Sequence, residues 1–260
     1  MPAWDAGLYL QFANERARPA ADLISRIGLR NPANIVDIGC GPGNSAKMLH
    51  ERWPQAAITG VDNSAEMLAE ASASHPSWNW NQADAATWSS EHRFDLVFSN
   101  AALHWLPDHA RLFVRLFELV AAGGAFAAQM PANFDARSHR IMGEVAQEAL
   151  WRDALQNASS EAGVESLSFY YDLLCPLAAA LDLWETEYTH VLDGPEAILE
   201  WIRGTAMRPY LQALPDDQRR KQFQDLCLER LRQAYPRRAS GKVLFPFRRI
   251  FVIAYRAGSS

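Results

Sequence analysis

Cysteine and long apolar runs are scarce in this chain of 260 residues. The three cysteines, Cys40, Cys175 and Cys227, form an odd set without metal-site spacing, which favours reduced thiols. No apolar run reaches the roughly 18 residues that a membrane span needs, and the start lacks a basic segment followed by an apolar one. The sequence therefore predicts a cytoplasmic protein, with no signal peptide, no membrane partner and no bound metal.

Lysine is also scarce, because only three of the 25 basic residues are lysines. The formal net charge is −5, which argues against a nucleic-acid partner. The arginines are concentrated in the second half of the chain. They reflect either a general preference for arginine or a clamp for an anionic substrate, since a guanidinium pairs with a carboxylate through two parallel hydrogen bonds.

A glycine-rich segment follows the first apolar strand, which is predicted for residues 34–38. Gly39, Gly41 and Gly43 stand at every second position, and Asn44 or Ser45 is expected to cap the next helix. The spacing is GxGxG, one residue shorter than the GxGxxG of dinucleotide-binding proteins. The loop therefore suits a nucleotide-like ligand without a pyrophosphate, although a nicotinamide enzyme and a tight turn without any ligand remain alternatives.

Strands and helices alternate along the first half of the chain. After the first strand, strands are predicted for residues 57–62, 78–82, 94–100 and 125–130, with helices at 64–73 and 110–120. Strands linked in this way form a parallel, doubly wound α/β sheet. An acidic side chain at the tip of its second strand, Asp62, is suited to accept both hydroxyls of a ribose.

The second half of the chain is predicted to be mainly helical. Helices are expected at 137–156, 168–180, 195–204, 209–214 and 215–234, and strands at 183–192 and 247–255. We therefore predict a single domain, 1–260, with its core at about 20–130, 183–192 and 244–256. The residues at about 131–182 and 193–243 would form two helical lid insertions that supply substrate contacts and exclude water.

Residues 34–130 resemble the class I methyltransferases that use S-adenosylmethionine (SAM). The resemblance is carried by the glycine loop, Asp62, Asp84, the segment 98–105 and the Gly123–Gly124 turn. It implies a Rossmann-like, doubly wound seven-stranded sheet, parallel with one antiparallel strand near the end, and SAM as the cofactor, converted to S-adenosylhomocysteine (SAH). The cofactor-binding residues that it implies are Asp37, Gly39, Gly41, Gly43, Asp62, Asn63, Met67, Asp84, Ala85, Asn100 and Trp105. Met67 is equally well explained as a core methionine.

The chemistry of the methyl acceptor decides whether a catalytic base is needed. A carboxylate is already ionised at neutral pH, since its ordinary pKa lies near 4, so it needs alignment and charge neutralisation rather than deprotonation. A hydroxyl acceptor would need a base, for which His104 is the candidate. The other interpretation of His104 is a hydrogen-bonded histidine packed beside Trp105.

A closer resemblance, to the trans-aconitate 2-methyltransferase family, extends over almost the whole chain. It is carried by residues 9–20, 100–108, 129–133, 201–211 and 247–252. It implies a cytoplasmic enzyme that esterifies one carboxylate of a small tricarboxylic acid, most simply trans-aconitate. The substrate-binding residues that it suggests are Arg208, Tyr9, Arg16, Asn133, Arg203 and Arg248.

Several alternatives remain open from the sequence. The acceptor is trans-aconitate, another small acid, a carrier-linked acyl group or a hydroxylated metabolite, and a SAM-binding protein without catalysis is a further hypothesis. The sequence leaves undecided which carboxylate is methylated and what the oligomeric state is.

Overall fold

A computed structural model describes residues 13–156, 158 and 162–258 of the chain. Within these residues, seven strands form one sheet in the order β3-β2-β1-β4-β5-β7-β6. The strands are β1 (Asn34–Ile38), β2 (Ala57–Asp62), β3 (Asn79–Gln82), β4 (Phe94–Asn100), β5 (Val120–Pro131), β6 (Ala180–Leu192) and β7 (Val243–Tyr255).

Most helices of the described residues lie in the connections between these strands. The helices are α1 (Ala13–Arg26), α2 (Asn44–Arg52), α3 (Ala65–Ser74), α4 (His109–Glu118), α5 (Arg137–Ala146), α6 (Arg152–Leu155), α7 (Leu167–Leu174), α8 (Pro195–Arg203), α9 (Arg208–Ala213) and α10 (Asp217–Ala234), with a 3₁₀ turn at Leu103–Trp105. Among these helices none is long and apolar enough to cross a membrane.

The sheet confirms the predicted α/β class. The central strand β1 pairs in parallel with β2 and with β4, and β4 pairs in parallel with β5. The strand β7 pairs with β5 in the antiparallel direction, as the resemblance implied. The chain moves outward to β3 on one side of β1 and to β4 on the other, so the carboxyl ends of β1 and β4 mark the switch point at which ligands bind in such sheets.

The prediction of the first helix cap was wrong. Neither Asn44 nor Ser45 caps α2, because Gly43 occupies the cap position in the left-handed region and makes no side-chain hydrogen bond there. Asn44 is the first helical residue, and the Ser45 hydroxyl donates to Asp37 instead. Gly43 thus precedes α2 in a left-handed backbone conformation that glycine adopts without strain. The Ser45 side chain is then available to hydrogen-bond with Asp37 in β1.

Other element boundaries also differ from the prediction. The strand β5 begins at Val120 rather than at 125, because Gly123, at φ 77°, allows an irregular register opposite β4. The predicted helix at 137–156 is two helices, α5 and α6. The helix expected at 168–180 ends at Leu174, two residues before Pro176, which has no backbone N–H to continue the helical hydrogen bonds.

The chain divides into two compact units, each with its own core. The sheet unit contains residues 16–131, 162–186 and 249–258. The helical unit contains residues 132–156 and 187–248, and its core is an aromatic and aliphatic cluster that includes Trp151, Trp201, Phe223 and Phe245. Both β6 and β7 continue from one unit into the other.

Candidate cofactor and substrate sites

The three glycines of the loop have different structural roles. All have positive φ, at 70° for Gly39, 54° for Gly41 and 91° for Gly43, where only glycine is unstrained. A Cβ on Gly39 would lie 2.2 Å from the Cβ of Ala102, whereas a Cβ on Gly41 would meet nothing within 4 Å. Gly39 therefore permits close backbone packing, and Gly41 presents an open face that a ligand can approach.

Gly43 makes room for the side chain of Trp80, a contact that the sequence did not reveal. A Cβ on Gly43 would lie 3.1 Å from the indole, and one on Gly60 would lie 2.4 Å from it. The indole nitrogen of Trp80 donates to the carbonyl of His75 at 3.0 Å, which holds the ring in place. The third glycine of the motif is thus explained by packing against β3 as well as by the turn.

Asp62 links the end of β2 to the glycine loop. Its Oδ2 accepts a hydrogen bond from the Gly41 N–H at 2.9 Å, and its Oδ1 accepts one from the Ser64 N–H at 2.9 Å. The hydroxyl of Ser64, rather than Asp62, caps α3 by accepting from the Met67 N–H at 3.3 Å. Each carboxylate oxygen can accept a further hydrogen bond, so this arrangement suits a ligand hydroxyl beside the glycine loop.

Two other predicted cofactor residues lie on α3 or just before it. Asn63 is exposed, and its carbonyl accepts from the Gln82 side chain at 3.4 Å. Met67 is 7% exposed and contributes to the core beneath α3. The position of Met67 agrees both with a core methionine and with an apolar side chain that contacts the adenine, the two interpretations that the sequence left open.

The turn after β3 carries Asp84 and Ala85 and is held by a side chain from α4. The Asp84 Oδ1 accepts from the Ala86 N–H at 2.8 Å, and the Asp84 carbonyl accepts from the Trp88 N–H at 2.8 Å. The Arg115 guanidinium donates to the carbonyls of Ala85 and Trp88. Within the described residues no helix connects β3 to β4, and Arg115 anchors the turn in its place.

Asp37 and Asn100 present buried acceptors at the ends of neighbouring strands. Asp37 is fully buried, and its Oδ2 accepts from the Ser45 hydroxyl at 2.6 Å. Burial, opposed by this hydrogen bond, raises the pKa of Asp37 to about 7. The Oδ1 atoms of Asp37 and Asn100 are buried and have no hydrogen-bond partner among the described residues. Buried acceptors of this kind fit a ligand that carries hydrogen-bond donors, such as the ammonium group of SAM.

The raised pKa of Asp37 predicts a specific pH dependence of stability. Between about pH 4 and 7 the folded chain retains a proton that the unfolded chain has lost, so this group makes the protein less stable as the pH rises. We expect the free energy of unfolding of the wild type to fall relative to Asp37→Asn across that window, by up to about 1.4 kcal/mol per pH unit. Urea denaturation of both proteins without cofactor measures the difference, and parallel pH curves would contradict it.

His104 is not well suited to act as a base. Its side chain is buried, its ring centroid lies 4.7 Å from that of Trp105, and its carbonyl accepts from the Gly163 N–H at 2.9 Å. Burial, reinforced by the positive charge of Arg249, lowers the pKa of His104 to about 3. The ring is therefore neutral and weakly basic at pH 7, which favours the packed histidine over the general base.

Two of the predicted substrate arginines begin or end helices of the helical unit. Arg208 is the first residue of α9 and is half-buried, and this burial lowers the pKa of its guanidinium. Arg203, the last residue of α8, forms an ion pair with Glu200 at 2.6 Å. Arg203 is therefore already engaged by a carboxylate of its own helix.

Asn133 and Arg248 are brought together by a hydrogen bond. The Asn133 Oδ1 accepts from the backbone N–H of Arg248 at 3.2 Å, and the Arg248 Nε donates to the Ala132 carbonyl at 2.8 Å. Asn133 is 6% exposed, whereas Arg248 is exposed. Tyr9 and the side chain of Arg16 lie outside the residues that the structure describes.

The sequence analysis missed a buried polar pair in the sheet unit. Arg249 is only 4% exposed, and its Nη1 donates to the Oε1 of the fully buried Gln129 at 3.4 Å. The available signal was the pair of arginines that interrupts the apolar residues of β7. Successive strand residues face opposite sides of a sheet, and the sequence did not show which of the two was buried.

Comparison with known proteins identifies the family. Residues 35–124 match the family profile of a methyltransferase domain. Proteins named trans-aconitate 2-methyltransferase from Azoarcus sp. (strain BH72) and Methylobacterium nodulans are each 46% identical to this chain, and one from Rhodopseudomonas palustris (strain BisA53) is 44% identical. These alignments cover 98% of this chain and at least 99% of each relative.

Solved structures support the fold. The YcgJ protein of Bacillus subtilis aligns with a TM-score of 0.57 at 15% identity, over 93% of this chain and 99% of its own. The phosphoethanolamine N-methyltransferase 2 of Haemonchus contortus, solved with SAH, aligns with a TM-score of 0.56 at 17% identity, over 92% of this chain and 52% of its own. At such identities the likeness concerns the fold alone. The near-full-length identity of 44–46% confirms the predicted resemblance: this protein belongs to the trans-aconitate 2-methyltransferase family of class I methyltransferases.

Proposed function

We propose that this protein transfers the methyl group of SAM to one carboxylate of trans-aconitate and so forms a monomethyl ester. The observation that carries the proposal is the 46% identity, over nearly the whole of both chains, to a relative of that name. The sheet unit supports it, because an open glycine face, an acidic strand tip and buried acceptors occur together there.

The sheet unit would hold SAM through residues at the ends of β1 to β4. Asp62 and Asn63 would bind the ribose, Asp84 and Ala85 the adenine, and Met67 would contact the face of the ring. Asp37, Asn100 and Trp105 would contact the methionine portion, beside Gly39, Gly41 and Gly43. SAM supplies an electrophilic methyl group on a positively charged sulfur. Asp84 has one oxygen engaged by the Ala86 N–H, which leaves the other to accept from an amino group.

The protein then has to orient an acceptor that is already a nucleophile. A carboxylate is ionised at neutral pH, so the neutral His104 is not needed as a base. Catalysis by this chain would consist of alignment, water exclusion and neutralisation of the spare carboxylates. We assign the main anchoring role to Arg208, which is half-buried in the helical unit.

The other predicted substrate residues differ in how far their polar groups are already engaged within the chain. The Nδ2 of Asn133 is buried without a hydrogen-bond partner in the described part of the chain, so it can donate to a carboxylate. Arg203 and Arg248 are less suited, because Glu200 and the Ala132 carbonyl engage their guanidinium groups. Tyr9 and Arg16 remain proposals from the family resemblance. We also retain the proposal that the helical insertions at about 131–182 and 193–243 contribute acceptor specificity.

A carrier-linked acyl acceptor is the less supported alternative. It would need a basic patch, and the only obvious candidate in the sequence is Arg219, Arg220 and Lys221. Arg220 pairs with Asp217 at 2.8 Å and Lys221 with Asp225 at 2.7 Å, so acidic neighbours compensate two of these charges.

We also infer a cytoplasmic location, because Cys40, Cys175 and Cys227 are free thiols.

The proposed function is tested by incubating the protein with SAM and trans-aconitate and identifying the ester by mass spectrometry. Citrate, dicarboxylic acids and carrier-linked acids are assayed in the same way as competing acceptors.

We expect Arg208→Ala to lower kcat/KM for trans-aconitate by about 30-fold, because one charged hydrogen-bonded contact is lost. The affinity for SAH should stay unchanged. Arg238→Ala, at an exposed arginine of the same unit, is the control. An Arg208→Ala enzyme within threefold of the wild type would refute the anchor assignment.

A further inference from the structure

Buried polar side chains gather where β4 and β5 end in the sheet unit. Asn100, the last residue of β4, is the register partner of Gln129 on β5. Two residues further along β5, Pro131 is the register partner of Arg249 on β7. Gln129 is fully buried, Arg249 is 4% exposed and His104 is 5% exposed. The cluster thus lies beside the strand ends at which this class of sheet binds its ligands.

Gln129 has an amide group that is only partly satisfied. Its Oε1 accepts from the Arg249 Nη1 at 3.4 Å, and its backbone carbonyl accepts from the Ala101 N–H at 2.9 Å. Its Nε2 is buried and has no hydrogen-bond partner among the residues that the structure describes. A buried amide that lacks an acceptor costs stability, so this group calls for an acceptor that enters with a ligand.

Arg249 places a guanidinium beside that amide. A guanidinium stays protonated in proteins, and a buried one exerts a strong field because little water screens it. His104 responds to this field, since the charge of Arg249 is the second cause, after burial, of its lowered pKa. The neighbouring His104 is consequently neutral and adds no competing cation at pH 7.

We propose that Arg249 and Gln129 form an anion subsite that binds one carboxylate of the acceptor acid. This inference deepens the proposed function and rests on it. The Arg249 guanidinium and the Gln129 amide together offer several N–H donors to one ligand group, the recognition that carboxylates favour. An acceptor without that carboxylate would leave the Gln129 Nε2 unsatisfied, so the pair selects for the number of carboxylates. Arg249, rather than its neighbour Arg248, is then the substrate-binding arginine of β7.

Gln129→Glu tests the subsite with little change in shape. The new carboxylate has nearly the shape of the amide and lies next to the Arg249 guanidinium, so the fold should persist, while its negative charge should repel a ligand carboxylate. We expect trans-aconitate to bind the SAH-loaded protein about 100-fold more weakly by calorimetry, with a similar fall in kcat/KM. The affinity for SAH should stay within threefold of the wild type. Gln218→Glu, which makes the same charge change at an exposed position, should leave all three values unchanged.

A series of acids separates a subsite from a general structural effect. In the Arg249→Met and Gln129→Glu variants, we expect a large loss of affinity for trans-aconitate. One dicarboxylic analogue lacks the carboxylate that this subsite holds, and both variants should bind that analogue as tightly as the wild type does. Trans-aconitate binding within threefold of wild type in both variants would overturn the subsite, as would an equal loss for every acid. A wild type that binds SAH but makes no ester from trans-aconitate would instead refute the proposed function.

Discussion

Replacing Asp62 with alanine is expected to weaken SAM and SAH binding by at least about 100-fold. Two hydrogen bonds from ribose hydroxyls to a carboxylate contribute about 1.5–3 kcal/mol each. The same substitution removes the acceptors of the Gly41 and Ser64 N–H groups, so the loop loses its link to β2. The effect therefore combines lost ligand contacts with a less ordered glycine loop.

Calorimetric titration with SAH measures this effect directly. Asp62→Asn keeps one carbonyl acceptor but loses the charge, and it should fall between the wild type and Asp62→Ala. Asp172→Ala removes an exposed acid from the same unit and serves as the control. A dissociation constant for Asp62→Ala within threefold of the wild type would rule out the ribose assignment.

Replacing Gly39 with alanine is expected to destabilise the fold by about 2–5 kcal/mol. The left-handed backbone at φ 70° costs a non-glycine residue about 1–2 kcal/mol. The new Cβ would also lie 2.2 Å from the Cβ of Ala102, an overlap that adds about 1–3 kcal/mol. Because both atoms belong to short, rigid side chains, relief requires the backbone to move.

A double substitution separates the two contributions. Gly39→Ala combined with Ala102→Gly removes the overlap, so it should recover the steric part and leave only the backbone strain. Gly41→Ala, where the Cβ meets nothing within 4 Å, should cost only about 1–2 kcal/mol of stability but should weaken SAH binding, because its open face is proposed to contact the cofactor. Thermal or urea unfolding together with SAH titration distinguishes these outcomes. Strictly additive losses in the double variant would contradict the clash.

Much of the fold was predictable, because it depends on local patterns. The bounds of β1, β2 and β4 agree with the prediction, since short apolar runs ended by glycine or a polar residue signal buried parallel strands. The irregular start of β5 was missed because it depends on pairing with β4, which lies far away in sequence. The cap of α2 was assigned wrongly because asparagine and serine usually cap helices, whereas Ser45 is engaged by Asp37.

The residues of the candidate site also fall into some that local sequence patterns predicted and others that they did not. Gly39, Gly41 and Asp62 were predicted from a contiguous glycine loop and a strand tip, and Asp84 was predicted from the family resemblance. Trp80 above Gly60, Arg115 on the turn after β3, and Arg249 beside Gln129 were not found. Each of these contacts joins residues from separate parts of the chain, and no local pattern encodes it.

The sheet class followed from the alternation of strands and helices along the sequence, and the family and the cofactor followed from the resemblance that the glycine loop and the acidic strand tips carry. Which of Arg248 and Arg249 has a buried side chain could be decided only from the folded chain. In a strand, neighbouring side chains point to opposite faces, and only the packing of β7 against β5 shows which face is buried. That packing buries Arg249 beside Gln129, while Arg248 remains exposed.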